Sequence, residues 1–235
     1  DVYVPVGIYY QYSGGWKTGD NGLTMQWDLV DIIGLLSNRE YFPPAVLPTT
    51  LGGWVASIVG QLGSNFADKY IVDPEYSGKA VTALQLSDVA DRSCGEILRY
   101  ACMATGTFAR ADNTTGKLAV EPYWSEGNKY TLDNLAKYPT MAANDDIAVL
   151  NFEIYASTEN HRNVTVSGTA TASSQTVKVS NPFLHPKEAA LTAARQILST
   201  YGGNLLTLTG RGDPSSEIGD VDTVWLNEKS ATTAR

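Results

Sequence analysis

The side chains that most often do chemistry are sparse in this sequence and poorly placed for it. There are two histidines, His161 and His185. A nucleophilic triad needs a histidine oriented by a carboxylate, beside a nucleophile on a strained turn. His161 stands in a polar joint, His185 precedes Pro186 at a helix start, and no G-x-S-x-G turn occurs. The HExxH, CxxC and EF-hand spacings are also absent. Asp145-Asp146 could offer oxygens to Ca2+, but the pair reads as a solvated acidic joint. A glycosidase needs two carboxylates ~5 to ~9.5 Å apart and rings that stack on a sugar. With 25 acidic residues and five tryptophans the types are present, yet no pair stands out. Trp16, Trp54, Trp124 and Trp225 read as core or rim. Arg211-Gly212-Asp213 spells an adhesion tripeptide and fits as a turn ahead of Pro214. Asn113-Thr114-Thr115 and Asn163-Val164-Thr165 are glycosylation acceptors only in a secretory pathway. The expectation is a protein that is not an enzyme, with no catalytic residue, no cofactor and no metal site.

Cys94 and Cys102 fall eight residues apart in one predicted helix. At ~1.5 Å per residue their Cα atoms would be ~12 Å apart, beyond the ~7 Å that a disulfide spans. They are expected to be free core thiols of a protein made in a reducing compartment.

The chain has 235 residues, 43% hydrophobic and 18% charged, which suits a folded protein with one large or two to three small domains. Its 21 glycines and 13 tyrosines, with many Thr and Val, lean toward β structure. The net charge is −8 and no basic run occurs. That argues against a groove gripping nucleic acid by its phosphates, but suits a surface past which DNA slides without sticking. No apolar run approaches the ~20 residues of a membrane span. Asp1-Val2-Tyr3 has no Met and no signal-like core, and the expectation is a processed product or an excised fragment.

In chain order, Asp1 to Tyr12 is strand-like, with Gly7 a bulge candidate, and Ser13-Gly14-Gly15 is expected to turn. Asp20-Asn21-Gly22 is a stronger turn signal. Leu23 to Leu29 alternates as a half-buried strand, and Asp28 to Leu36 as a short helical turn. Pro43-Pro44 and Pro48 mark a linker. Thr49 or Thr50 caps a helix over 51–62, with Leu51, Trp54, Val55, Ile58, Val59 and Leu62 at the 3.6 period. Gly52 and Gly53 cost that helix ~1 kcal/mol each relative to Ala, a cost that makes sense if another backbone packs close. Ser93 and Glu96 form a capping box that opens a helix over 95–104. Thr107 to Arg110, the turn Asp112 to Gly116 and Lys117 to Tyr123 make a β-hairpin. Ile147 to Ala156, His161 to Gly168 and Gln175 to Val179 are strands. A helix follows over 186–201, with Pro186 at its first position and a Gly202-Gly203 stop. Asn204 to Thr209 and Val221 to Leu226 are strands, joined through Gly212-Asp213-Pro214 and Gly219-Asp220.

The last part of the chain, a helix, a strand, RGDP, Glu217, Gly219-Asp220 and a β-branched run to Val224, resembles the final barrel of bacteriophage and prophage tail hub proteins. Those include the baseplate hub and the tail-associated hub. The family's pattern is similar to G(D/N)P…(E/P)-G-D-x-V. Arg92, Leu98, Ala101, Gly106, Ala109, Gly116, Lys117 and Leu118 match a second stretch, and the "PVGIY" and "DLVD" segments resemble the close of the family's first barrel. The resemblance extends from about Val4 to Val224. It implies an α+β, β-rich fold: open β-barrel domains with a small inserted α/β domain and a few short helices. Residues 1–45 would be the remainder of a first barrel, 46–145 the small α/β domain and 146–235 the second barrel. It implies a structural component of the virion tail, made in the bacterial cytoplasm. Such a hub forms a homotrimeric ring that joins the tail tube to tip and fibre proteins and passes DNA without specific binding. Two barrels per subunit would give six barrel positions. The residues expected to matter are structural: Ser93 and Glu96 at a cap, and Gly212, Asp213, Pro214, Gly219 and Asp220 at the last turns. The alternatives are a tail-associated cell-wall hydrolase and a carbohydrate-binding β module that recognises a cell surface. Exposed coplanar Trp and Tyr rings would favour the latter.

Overall fold

A computed structural model describes residues 7–18, 25–83, 85–122, 125–142, 147–155, 161–167, 175–201, 205–210 and 220–234. It is a mixed α+β fold built from several small open sheets, with no closed barrel among the described residues. The chain divides into two compact units, residues 1–102 with 109–121, and residues 103–108 with 122–235.

The first unit opens with strands β1 (Tyr10–Thr18) and β2 (Met25–Val30), paired antiparallel. Ser13-Gly14-Gly15 does not turn. It lies inside β1, where the register shifts between Gln11 and Trp16. Glycine permits a turn or a bulge equally, and the pairing with β2 selects the bulge. The expected Asp20-Asn21-Gly22 turn lies outside the described residues. Helix α1 (Ile32–Ser37) starts at Asp31, whose carboxylate accepts the Gly34 N–H at 2.7 Å. The helix expected over 51–62 is α2 (Leu51–Gly60), and its cap is Thr50, which accepts the Gly53 N–H at 3.2 Å. Strand β3 (Tyr70–Val72), helix α3 (Pro74–Ser77), helix α4 (Cys94–Thr105), strand β4 (Thr107–Ala111) and strand β5 (Leu118–Pro122) follow.

The three strands make one sheet in the order β3-β5-β4, with β3 and β5 parallel. Across β4 and β5, Arg110 meets Glu121 through two N–O contacts of 3.1 and 3.2 Å, a forked ion pair. The connecting turn is organised by Asp112, whose Oδ1 accepts from the Thr114 and Thr115 N–H groups and the Thr115 hydroxyl. Burial alone would raise the Asp112 pKa. The Thr115 and Thr114 hydrogen bonds outweigh it and hold the carboxyl below its ordinary value. Gly116 closes the turn at φ +66°, a conformation that favours glycine. The core of this unit is Ile32, Leu36, Leu51, Trp54, Val55, Ile58, Val59, Ile97, Leu98 and Leu118, all 3% exposed or less. Trp54 is wholly buried because its indole N–H has a partner, the Val81 carbonyl at 2.8 Å.

Of the glycine pair in α2, Gly52 has the reason the sequence suggested, whereas Gly53 faces only the side chains of Thr50 and Pro48. A Cβ on Gly52 would meet the hydroxyl of Ser77, with the Ser77 carbonyl oxygen at 3.2 Å, so α3 packs directly on the α2 backbone.

The second unit contains β6 (Ser125–Tyr130), β7 (Thr140–Ala142), β8 (Ile147–Tyr155), β9 (His161–Ser167), β10 (Gln175–Ser180), helix α5 (Lys187–Tyr201), β11 (Leu205–Thr207), β12 (Asp220–Asn227) and β13 (Ser230–Ala234). They form three sheets: β10-β8-β9, β11-β7 and β13-β12-β6. Helix α5 and the turn Pro182–Leu184 pack on β8. Leu150, Phe183, Leu184, Ala190, Ala193 and Ala194 are buried there, small residues on the helix letting it lie close to the sheet. On the other face of the same strands the row Lys178, Asn151 and Thr165 is polar, with the Thr165 hydroxyl donating to Asn151 Oδ1 at 2.9 Å. The expected strand over 204–209 is only three residues long. A further strand, β13, follows the one expected over 221–226.

Gly95, the second residue of α4, is set against the end of α1: an added Cβ would lie 2.9 Å from Ser37 Cα and 3.1 Å from its nitrogen. Backbone cannot step aside as a side chain can. Gly95→Ala is therefore expected to lower unfolding stability by ~1–3 kcal/mol in urea titration. Gly60→Ala, where nothing lies within 4 Å, should leave stability unchanged or raise it by up to ~1 kcal/mol.

Candidate functional site

The densest polar constellation surrounds the start of α4. Ser93 caps the helix, its hydroxyl accepting the Glu96 N–H at 3.1 Å. The reciprocal arm of the expected capping box is not made. Instead Glu96 Oε1 is held by the Arg92 guanidinium and by the Tyr100 hydroxyl, which donates at 2.7 Å. Arg92 also reaches the Tyr100 hydroxyl at 3.2 Å and the Asp88 carbonyl at 3.0 Å. Glu96 and Tyr100 stand one turn apart on α4, and Arg92, two residues before the helix, reaches both. The Tyr100 hydrogen bond and the Arg92 charge hold the Glu96 carboxyl below its ordinary pKa, against a smaller desolvation effect. Burial, then the bond to Glu96, pushes the Tyr100 phenol up. A carboxylate fixed by two donors is a poor proton acceptor, so the arrangement acts as a clamp and not as a general base.

Beside it, Cys94 is buried and its thiol is pushed up to about 11 by desolvation, so it is not ionised at neutral pH. Cys94 and Cys102 are both buried and form no disulfide. A thiol held protonated is a poor nucleophile. His161 begins β9 and His185 ends the turn before α5. Among the described residues no group of three or more His, Cys, Asp or Glu could hold a metal ion, and no helix is long and apolar enough to cross a membrane.

The other expected site residues fall differently. Asp220 is the first residue of β12, paired with Ser125 of β6. Gly212, Asp213, Pro214 and Gly219 lie outside the described residues, as do Asp145, Asp146 and Trp124.

Several large apolar side chains also stand at the surface. In the first unit the β1–β2 ribbon is anchored at its base, where the Tyr10 ring lies 5.2 Å from that of Phe66 and the Tyr10 hydroxyl reaches the Gly116 carbonyl at 3.4 Å. Further out, Trp27 and Leu29, two residues apart on one face of β2, are 48% and 52% exposed. Phe42 and Val46 stand out from the proline-rich segment at 56% and 85%. In the second unit Tyr138, Met141 and Trp225 are exposed. Singly such residues are ordinary. Trp27 was not among the rings singled out from sequence. Its signal was the even alternation of Met25, Trp27 and Leu29, which marks one face of the strand without saying whether that face is covered.

The Arg92–Glu96–Tyr100 clamp has a pH signature. The folded Glu96 pKa is depressed, so its contribution to stability is present above the unfolded carboxylate pKa and is lost as pH falls through the folded one. Glu96→Gln should lower stability at neutral pH by a few tenths to ~1 kcal/mol, discounted because both partners are about a third exposed. In denaturant titrations that deficit should shrink as pH falls through the acid range. A deficit independent of pH would mean that the carboxylate charge plays no part.

No protein-family model and no curated protein matches the sequence. Solved structures do match. The 43 kDa tail protein of prophage MuSo2 from Shewanella oneidensis is similar at a TM-score of 0.58 and 16% identity, over 86% of this chain and 65% of that one. A tail protein from Neisseria meningitidis MC58 is similar at 0.60 and 13% identity, over 94% of this chain and 70% of that one. The chain thus spans about two thirds of the length of each, and at these identities the likeness is one of fold: this chain folds as those two tail proteins do.

Proposed function

We propose that this chain is a non-enzymatic structural component of a phage or prophage tail, and that it belongs to the hub, the ring that joins the tail tube to the tip. The observation that carries this reading is a fold shared with two tail proteins over 86% and 94% of the chain. The chemistry required of such a part is interface chemistry, and exposed apolar side chains beside open sheet edges supply it. The small sheets of each unit would be completed into open barrels by neighbouring segments or copies. Three subunits around an axis would present two barrel positions each and match a six-fold tube. The net charge of −8 suits a lumen that DNA crosses without being held. The expected partners are copies of itself, the tail tube and the tip or fibre proteins, in a virion tail assembled from protein made in the host cytoplasm.

Light scattering over a range of concentrations tests the ring. Particles of three copies of the 25.3 kDa chain, or a multiple of three, are expected. A mass that stays at one or two copies at every concentration overturns the three-fold ring.

A further inference from the structure

We draw no further inference here: the strongest candidate, the exposed apolar patch of Trp27 and Leu29 on the β1–β2 ribbon, carries nothing because nothing in the structure shows what covers it.

Discussion

Two backbone hydrogen bonds hold the first unit together. The Cys94 N–H donates to the Arg39 carbonyl at 2.7 Å and the Tyr41 N–H to the Arg92 carbonyl at 2.9 Å, an antiparallel bridge centred on Glu40 and Ser93. It joins the segment leaving α1 to the residues that start α4, more than fifty positions later. Much follows from that join. Gly95 must be glycine-sized because the bridge brings the Ser37 backbone against it. Cys94 is desolvated because it lies inside the bridge, with its thiol donating weakly to the Glu40 carbonyl at 3.7 Å. Tyr41 is driven into the core against Trp54, its hydroxyl on Ser57 at 2.8 Å, and burial raises its pKa. The polar clamp on Arg92 then sits directly on the bridge and fixes the angle at which the chain enters α4.

This explains which parts of the fold the sequence makes legible. Caps and helices are local: Thr50 and Ser93 act on backbone three residues away, and the apolar period of α2 is written in ten residues. The turn at Asp112 is local too, because one carboxylate satisfies three donors within the next three residues. What is not legible is set by distant pairing. Ser13-Gly14-Gly15 carries turn chemistry and becomes a bulge because β2 holds both flanks of it in register. Strand β6 lies parallel to β12 and depends on a partner some ninety residues away. Its charged sequence, Ser125 to Tyr130, has no strand signal of its own. Glu96 has the residue type and spacing of a capping box, yet two stronger donors, a guanidinium and a phenol, take its carboxylate away from the Ser93 backbone. Spacing names the candidates, and competition among donors chooses between them.

The sheets are small, two or three strands each among the described residues. A two-stranded ribbon is marginal alone in water, and a three-stranded sheet needs a covered face. In the second unit α5 supplies that cover for β10-β8-β9. In the β1–β2 ribbon the exposed Trp27 and Leu29 leave part of the described surface apolar. Such a ribbon gains most from whatever next packs on it. Among the described residues the sheets are thus small and open, with apolar side chains left at the surface.

Edge chemistry sharpens that point. An unpaired strand cannot tell a correct neighbour from an incorrect one by its backbone, since every backbone offers the same donors and acceptors. Discrimination must come from side chains, and a charge on the strand is the cheapest way to reject a stranger. Among the described residues six edge strands carry such a charge, and the uncharged ones are mostly only three residues long. Catalytic sites are found by what converges on a point. A sheet edge is read differently, by asking which neighbour its side chains would accept.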